Sequence, residues 1–327
     1  MMSRDFILLH AQCLKDLFCC IQLPKDVVER NRYIPEVLEV PSGTDLHAHH
    51  LVKNGGIVLQ SFASCLPAFI MDPEPQWNIL DACAAPGNKT THLAAILHSK
   101  AAKQGTSVGS VIAFDRDKNR LNRLELNIKN QSASDIVTAK CCDFLQEDPV
   151  AHKNIDAILL DPSCSGSGTS ISRMDYLIPS DGFPDKNDPC YVDDRIQQLA
   201  EFQKSAICHA FSFPRVKRIV YSTCSIYEAE NEAVIASVLD RAIDAGFVLE
   251  PVMPEWHRRG NVTCLEEEEA KKVLRVGKHR VMYACVSLCG CRKIGRAVNL
   301  TILLFEFADP LEDGTDGFFV ASFKRHL

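Results

Sequence analysis

Two cysteines stand where an apolar strand gives way to a loop, and a thiol placed there can act as a nucleophile. Cys164 lies in Ile158-Leu159-Leu160-Asp161-Pro162-Ser163-Cys164-Ser165-Gly166, and Cys224 in Ile219-Val220-Tyr221-Ser222-Thr223-Cys224-Ser225. In an open α/β sheet the ligand crevice lies outside the strand exits. The attacking species is the thiolate, so such a site must depress the thiol pKa or place a base nearby. The plain alternative for either cysteine is a packing role, since free Cys is among the most buried residue types. Two cysteines at strand exits beside one aspartate weaken that alternative without removing it. Asp161 itself, partly desolvated at its strand exit, suits proton exchange with a ring nitrogen. Pro162 ends the ladder and fixes the loop.

A third strand exit carries Asp81-Ala82-Cys83-Ala84-Ala85-Pro86-Gly87-Asn88-Lys89-Thr90. Its small residues let the backbone approach a ligand, and Pro86 stiffens the turn. A helix follows, and the free N–H groups of a helix start favour anionic or carboxylate-bearing ligands. The GxGxxG fingerprint is absent, which argues against a dinucleotide. A tight strand-to-helix turn without a ligand accounts for the same residues equally well. Asp115, after Val111-Ile112-Ala113-Phe114, can take the two hydroxyls of a ribose or can cap the next helix. With Asp117 close behind, the two can divide those jobs. Asp143 can accept a hydrogen bond from an adenine amino group or can be a solvated turn residue.

These residues need a sheet to position them. Strands are expected at Trp77–Leu80, Ser110–Phe114, Ile136–Ala139, Ile155–Leu160 and Val216–Ser222, with a closing strand over Gly317–Phe323. Between them run helical stripes: Leu121, Leu124 and Ile128; Ile196, Leu199, Phe202 and Ile207; Val234, Ile235 and Val238. Alternating strand and helix imply a parallel sheet with helices on both faces, an α/β fold. The near-continuous apolar runs fit strands covered on both sides. Residues 1–75 differ. Six prolines (Pro24, Pro35, Pro41, Pro67, Pro73 and Pro75) break them into short elements, and Lys53-Asn54-Gly55-Gly56 reads as a turn into a short strand, Ile57-Val58-Leu59. They read as a small leading α+β domain before a larger one over 76–327. Ser163–Tyr191, rich in Ser, Gly, Pro and Asp, reads as a long loop, functional or disordered. Residues 273–304 hold six Lys and Arg and no Asp or Glu.

Composition bounds the partners. The 327 residues, 46% hydrophobic, suffice for a sizeable core, and a net charge of −6 excludes a generally basic nucleic-acid coat while permitting a local basic groove. The 15 cysteines are odd in number and scattered, with no CxxC pair, which reads as reduced thiols in a cytosolic or nuclear compartment. No apolar run approaches the roughly 20 residues of a membrane span, and the start, broken by His10, Gln12, Lys15 and Asp16, is unlike a signal peptide. The expectation is no membrane and no metal: His47, His49 and His50, and Cys285, Cys289 and Cys291 with His279, all lack zinc spacing.

The stretches Asp81–Thr90, Asp161–Gly166 and Tyr221–Ser225 resemble, in order and spacing, the three signature motifs of the Sun-domain (Nol/Nop/Sun-type) RNA cytosine-5 methyltransferases. Pro41-Ser42-Gly43-Thr44-Asp45-Leu46-His47 and Leu51-Val52-Lys53-Asn54-Gly55 are most similar to the fifth eukaryotic branch of that family, which acts on large-subunit ribosomal RNA. The resemblance covers about residues 35–265 and 308–323. It implies a class I S-adenosylmethionine-dependent methyltransferase fold, Rossmann-like, mostly parallel with an antiparallel terminal strand. It implies S-adenosyl-L-methionine as cofactor, held by Cys83, Ala84, Ala85, Pro86, Gly87, Asn88 and Lys89. By the same resemblance Asp115 takes the ribose with Arg120 in support, Asp143 lies at the adenine, and Asp161 lies beside cofactor and base. Cys224 falls on the family's nucleophile and Cys164 on its product-release cysteine. An RNA partner, a monomer and a nuclear, nucleolar address follow as expectations. Against the family, the leading region reads as truncated and 273–307 as an atypical insertion. A catalytically weak, RNA-binding variant is the first alternative. DNA cytosine methylation with Cys164 as nucleophile is the second; DNA enzymes typically join Pro directly to Cys, whereas Ser163 intervenes here.

Overall fold

The structure is a computed structural model describing residues 29–31, 33–34, 37–40, 46, 48–53, 55, 58–169, 193–276, 281–288, 300–307 and 317–326. Two compact units emerge: Met1–Cys142 with His279–Phe307, and Asp143–Lys278 with Ala308–Leu327.

The first unit begins with β1 (Glu29–Arg30) and β2 (Val37–Val40), an antiparallel pair. Helix α1 (Phe62–Met71) follows, its start capped by Ser61, whose Oγ accepts the Ser64 N–H at 3.3 Å. Strand β3 (Asn78–Asp81) leads through a turn into α2 (Asn88–Gln104), and β4 (Ser110–Asp115) leads into α3 (Lys118–Asn130) and then β5 (Val137–Cys141). β3, β4 and β5 are parallel neighbours, in register from Asn78 opposite Ser110 and from Val111 opposite Val137. Leu121, Leu124 and Ile128 form the buried face of α3, as their spacing requires. Val58 and Leu59, expected in a strand, lie in irregular backbone ahead of α1.

In the second unit β6 (Ala157–Leu160) is buried along its whole length and runs parallel to β7 (Arg218–Thr223). The crossover carries α4 (Asp194–Phe211), and α5 (Glu232–Asp244) and β8 (Phe247–Glu250) follow β7. β9 (Leu274–Val276) and the terminal β12 (Phe318–Arg325) complete the unit; β12 runs antiparallel to β7, β8 and β9. The strands are therefore mostly parallel with an antiparallel terminal strand, as the resemblance implied. The stripe on α4 differs from expectation: Ile196, Ala200, Gln203 and Ile207 are buried, while Leu199 and Phe202 are only partly so. A polar glutamine takes an inward position because it has partners there, described below.

The acid-free stretch after Val273 supplies more than a loop. Besides β9 it forms β10 (Val281–Leu288) and β11 (Leu300–Phe307), a hairpin in register from Val281 opposite Phe307 to Leu288 opposite Leu300. β10 pairs with β2 in the first unit, Met282 opposite Val40 and Cys285 opposite Val37, giving the order β1-β2-β10-β11. β-branched and aromatic residues favour these strands. Cys289, Cys291 and His279, and most of the stretch from Ser163 to Tyr191 expected to be a loop, fall outside the described residues.

Candidate active site

In the first unit the turn between β3 and α2 is held from several sides. Asp81, 1% exposed, accepts the Thr90 hydroxyl on Oδ2 at 2.7 Å. The Ala84 N–H donates to Phe114 O at 2.8 Å, stitching this turn to the exit of β4. The Ala85 N–H donates to Asp115 Oδ2 at 3.2 Å, and Asn127 Nδ2 donates to Pro86 O at 2.8 Å. The Ala85–Pro86 peptide is cis, and Gly87 has φ +107. A Cβ at Gly87 would stand 2.6 Å from Leu124 Cδ1, so glycine answers both a backbone demand and a close approach. Gly87 caps α2 without a side-chain hydrogen bond.

Of the two aspartates after β4, one takes the capping job. Asp117 is the cap of α3, its Oδ1 accepting the Asn119 and Arg120 N–H groups. Those backbone donors, the Arg120 N–H first, hold its carboxyl below the usual range. Asp115, 4% exposed, takes the Asp117 N–H on Oδ1 at 2.9 Å. The Arg120 guanidinium stands 3.5 Å from its Oδ2 and donates to Ala85 O at 2.7 Å. The turn's Ala84, Ala85 and Pro86 are thus joined to Phe114, Asp115, Arg120 and Asn127. A buried carboxylate with an arginine behind it, beside a helix start capped by glycine, matches a ligand carrying vicinal hydroxyls and a carboxylate. Asp143 belongs to the second unit, where its Oδ1 accepts the Leu145 N–H at 3.0 Å and caps the short turn Phe144–Gln146.

In the second unit the exits of β6 and β7 bring two sulfurs together. Cys164 Sγ and Cys224 Sγ are 3.2 Å apart, a thiol hydrogen bond, and both cysteines are free and partly exposed. The hydrogen bond with the Cys224 sulfur raises the Cys164 pKa well above the ordinary thiol value; burial, the charge of Cys224 and the Glu230 carboxylate push the same way. Asp161, half-buried, accepts the Ser222 hydroxyl on Oδ1 at 2.8 Å, tying the β6 exit to β7. The Gly168 N–H donates to Cys224 O at 2.9 Å.

Two residues at this pair went unmarked in the sequence: Glu230 and Gln203, both fully buried. Glu230 Oε1 accepts from the Ser165 N–H at 2.9 Å and from Gln203 Nε2 at 3.0 Å, and its Oε2 accepts the Ser225 hydroxyl at 2.6 Å. Gln203 Nε2 also donates to Ser163 O at 3.0 Å. One signal could have found Glu230: a carboxylate six residues beyond Cys224, with Asn231 next to it. Among the described residues no cluster of three His, Cys, Asp or Glu is arranged to hold a metal, and no helix is long and apolar enough to cross a membrane.

Comparison with known proteins places this geometry. The family described as 16S rRNA methyltransferase RsmB/F matches residues 68–324. The 25S rRNA (cytosine-C(5))-methyltransferase NSUN5 of Arabidopsis thaliana is 47% identical over 235 residues, 71% of this chain and 40% of that protein. A 28S rRNA (cytosine-C(5))-methyltransferase of Mus musculus is 39% identical over 234 residues, 69% of this chain and 45% of that protein. The chain spans about half the length of the curated relatives it matches. Among solved structures, NSun6 from Pyrococcus horikoshii with SFG superposes with TM-score 0.55 at 25% identity, covering 86% of this chain and 56% of that one. The protein PH0851 shares the fold at TM-score 0.62 and 24% identity, covering 91% of this chain and 54% of that one. A match over most of the chain, around a turn and a sulfur pair at the positions just described, shows that this protein belongs to the RsmB/F methyltransferase family.

Proposed function

We propose that the protein is an S-adenosylmethionine-dependent RNA (cytosine-5)-methyltransferase that makes 5-methylcytosine in large-subunit ribosomal RNA through a covalent bond from Cys224 to carbon 6. The observation that carries this reading is the 3.2 Å approach of Cys164 and Cys224 at the exits of paired strands. The names of the NSUN5 relatives, which act on 25S and 28S rRNA, support the substrate class. That substrate is made in the nucleolus, which is the address proposed here.

Carbon 5 of cytosine is a weak nucleophile. Addition of the Cys224 thiolate to carbon 6, with a proton delivered at nitrogen 3 beside Asp161, makes carbon 5 enamine-like. S-adenosylmethionine, when bound, supplies a methyl group on a sulfonium. Cys83–Lys89, Asp115 and Arg120 would hold it, with Asp143 at the adenine. After methylation nitrogen 3 returns its proton to Asp161, a solvent water takes the proton from carbon 5, the C5–H pair re-forms the carbon 5–carbon 6 double bond, and the carbon 6–sulfur bond breaks with its electron pair returning to Cys224. Cys164, 3.2 Å away, is placed to assist that release by donating to the departing sulfur. Ser222 orients Asp161 through its 2.8 Å hydrogen bond. The target cytosine must be unstacked or already single-stranded, at a cost of about a few kcal/mol.

The test uses tritiated cofactor, ribosomal RNA and denaturing gels. Cys224→Ala is expected to abolish methyl transfer and to leave no protein–RNA band. Cys164→Ala is expected to accumulate that band. A band that persists after Cys224→Ala, or none with Cys164→Ala, reverses the assignment.

A further inference from the structure

We propose that Glu230 is the positioning residue of the sulfur pair: one buried carboxylate fastens the backbone on either side of Cys164 and the residue after Cys224, and so sets the distance between the two sulfurs. This rests on the proposed function for what the pair does, but the geometric claim is testable without it.

The two cysteines come from loops 60 residues apart in sequence. Nothing in β6 or β7 alone fixes the separation of side chains that lie past the strand ends. Glu230 reaches both loops. Its Oε1 holds the N–H of Ser165, immediately after Cys164, and Gln203, anchored to the same oxygen, holds the carbonyl of Ser163, immediately before it. Its Oε2 holds the hydroxyl of Ser225, immediately after Cys224. The residues around it are held in turn. Tyr221, fully buried, donates its hydroxyl to the Glu230 backbone carbonyl at 2.6 Å and to Gln203 Oε1 at 3.1 Å. Asn231 Nδ2 donates to Ser225 O at 2.9 Å. A fully buried acid is costly unless its oxygens are satisfied, and here three donors converge on them. Charge repulsion from Glu230 also favours the protonated form of Cys164, the form needed for release.

The reach is specific. Glu230→Asp keeps the charge but shortens the side chain by one methylene, so it cannot span both loops. Glu230→Gln keeps the length: its oxygen can still take the Ser165 and Gln203 N–H groups. Its amide can donate to Ser225 Oγ, whose proton then turns towards Ser167, 3.3 Å away. Glu230→Ala removes all three hydrogen bonds of the carboxylate and leaves only the direct ties between the loops, Gly168 N–H to Cys224 O and Ser165 Oγ to Ser225 Oγ.

The probe is dibromobimane, which fluoresces fully only when two neighbouring thiols each displace a bromide. The site of bridging is read by peptide mass spectrometry on protein shown to be folded by near-ultraviolet circular dichroism. Wild type and Glu230→Gln are expected to bridge Cys164 to Cys224. Glu230→Asp and Glu230→Ala are expected to bridge them on the order of tenfold more slowly, as the sulfurs drift from register. The same two variants should lose about 100-fold in kcat, with KM for RNA changed by less than roughly threefold, and accumulate the covalent RNA adduct. A contribution to folding alone would lower the melting temperature without changing bridging in folded protein, and length would not rescue it. Should Glu230→Ala fail to fold, the Asp and Gln variants carry the comparison. Bridging in Glu230→Asp equal to wild type, or in Glu230→Gln as slow as in Glu230→Asp, overturns the proposal. Wild type that bridges in this pattern but transfers no methyl group overturns the proposed function and leaves the positioning role standing. Methyl transfer with uniform bridging does the reverse.

Discussion

Gly168→Ala tests whether backbone contact behind the sulfur pair governs its chemistry. Gly168 donates its N–H to Cys224 O at 2.9 Å. A Cβ added there would lie 2.0 Å from Gly317 O and 3.0 Å from Cys224 O. Carbon normally meets a carbonyl oxygen at about 3.3–3.6 Å. One backbone must therefore give way by more than roughly 1 Å, and neither is the end of a flexible side chain. Overpacking of this kind costs about 1–3 kcal/mol, a fall in melting temperature of roughly 2–12 °C at about 2–4 °C per kcal/mol. The severe clash is with Gly317 O, so relief falls on that strand start or on the Gly168 backbone; a shift of Gly168 by about 1 Å breaks its hydrogen bond to Cys224 O, and kcat should then fall about 100-fold. Gly260→Ala is the control: its Cβ would meet Val273 Cγ2 at 2.4 Å, a side chain, so stability should fall while kcat changes little. Scanning calorimetry and tritium transfer measure the two effects. Gly168→Ala that melts within 1 °C of wild type and turns over normally refutes the reasoning.

Asp115→Asn removes the charge that gathers Ala85, Asp117 and Arg120, and puts an N–H where one of them donates. Cofactor affinity should fall about 10- to 100-fold by calorimetric titration, the worth of a hydrogen bond to a charged group; an unchanged affinity removes Asp115 from the cofactor site. Arg275→Met leaves Glu232, 0% exposed, without its ion-pair partner, and also frees Ile226 O, so stability should fall by about 3–5 kcal/mol; denaturant unfolding with a loss under about 1 kcal/mol contradicts the pairing. Cys164 binds its proton more tightly folded than unfolded. Its contribution is therefore complete below the unfolded thiol pKa and is lost only as pH rises through the higher folded value. Iodoacetamide labelling of Cys164 in folded protein should rise at higher pH than in urea; coincident curves exclude the raised pKa. His209 runs the other way: burial lowers its pKa, so its share of stability is present above the unfolded histidine pKa and is lost as pH falls through the folded value. Acid denaturation of His209→Phe should begin at lower pH than in wild type; an identical onset refutes this.

The positions of the residues proposed to react were legible in the sequence because each sits just past an apolar strand, where a run of Leu or Val gives way to Asp, Cys or Thr. Strand exits converge in this architecture, so one-dimensional position carries three-dimensional meaning for Asp161, Cys164 and Cys224. Asp115 and Asp117 were legible as a pair but not as individuals, since only the hydrogen bonds assign the cap to Asp117. Glu230 and Gln203 were opaque. Both have polar side chains in helical turns, and polarity there ordinarily signals solvent. Their burial follows from donors supplied by loops distant in sequence, which no local pattern encodes. β8 was missed because its four residues carry little periodicity. β10 and β11 were missed because their basic, acid-free neighbourhood masked two runs of strand-forming residues.

The pairing of β2 with β10 sets an order of events during synthesis. Val40 finds its partner in Met282, which follows 242 residues later (282 − 40). At ribosomal rates of about 5–20 residues per second, that interval is roughly 12–48 s. Throughout it the edge of β2 that β10 will cover is open to any other strand. Premature termination before Met282 would leave that edge of β2 uncovered for good.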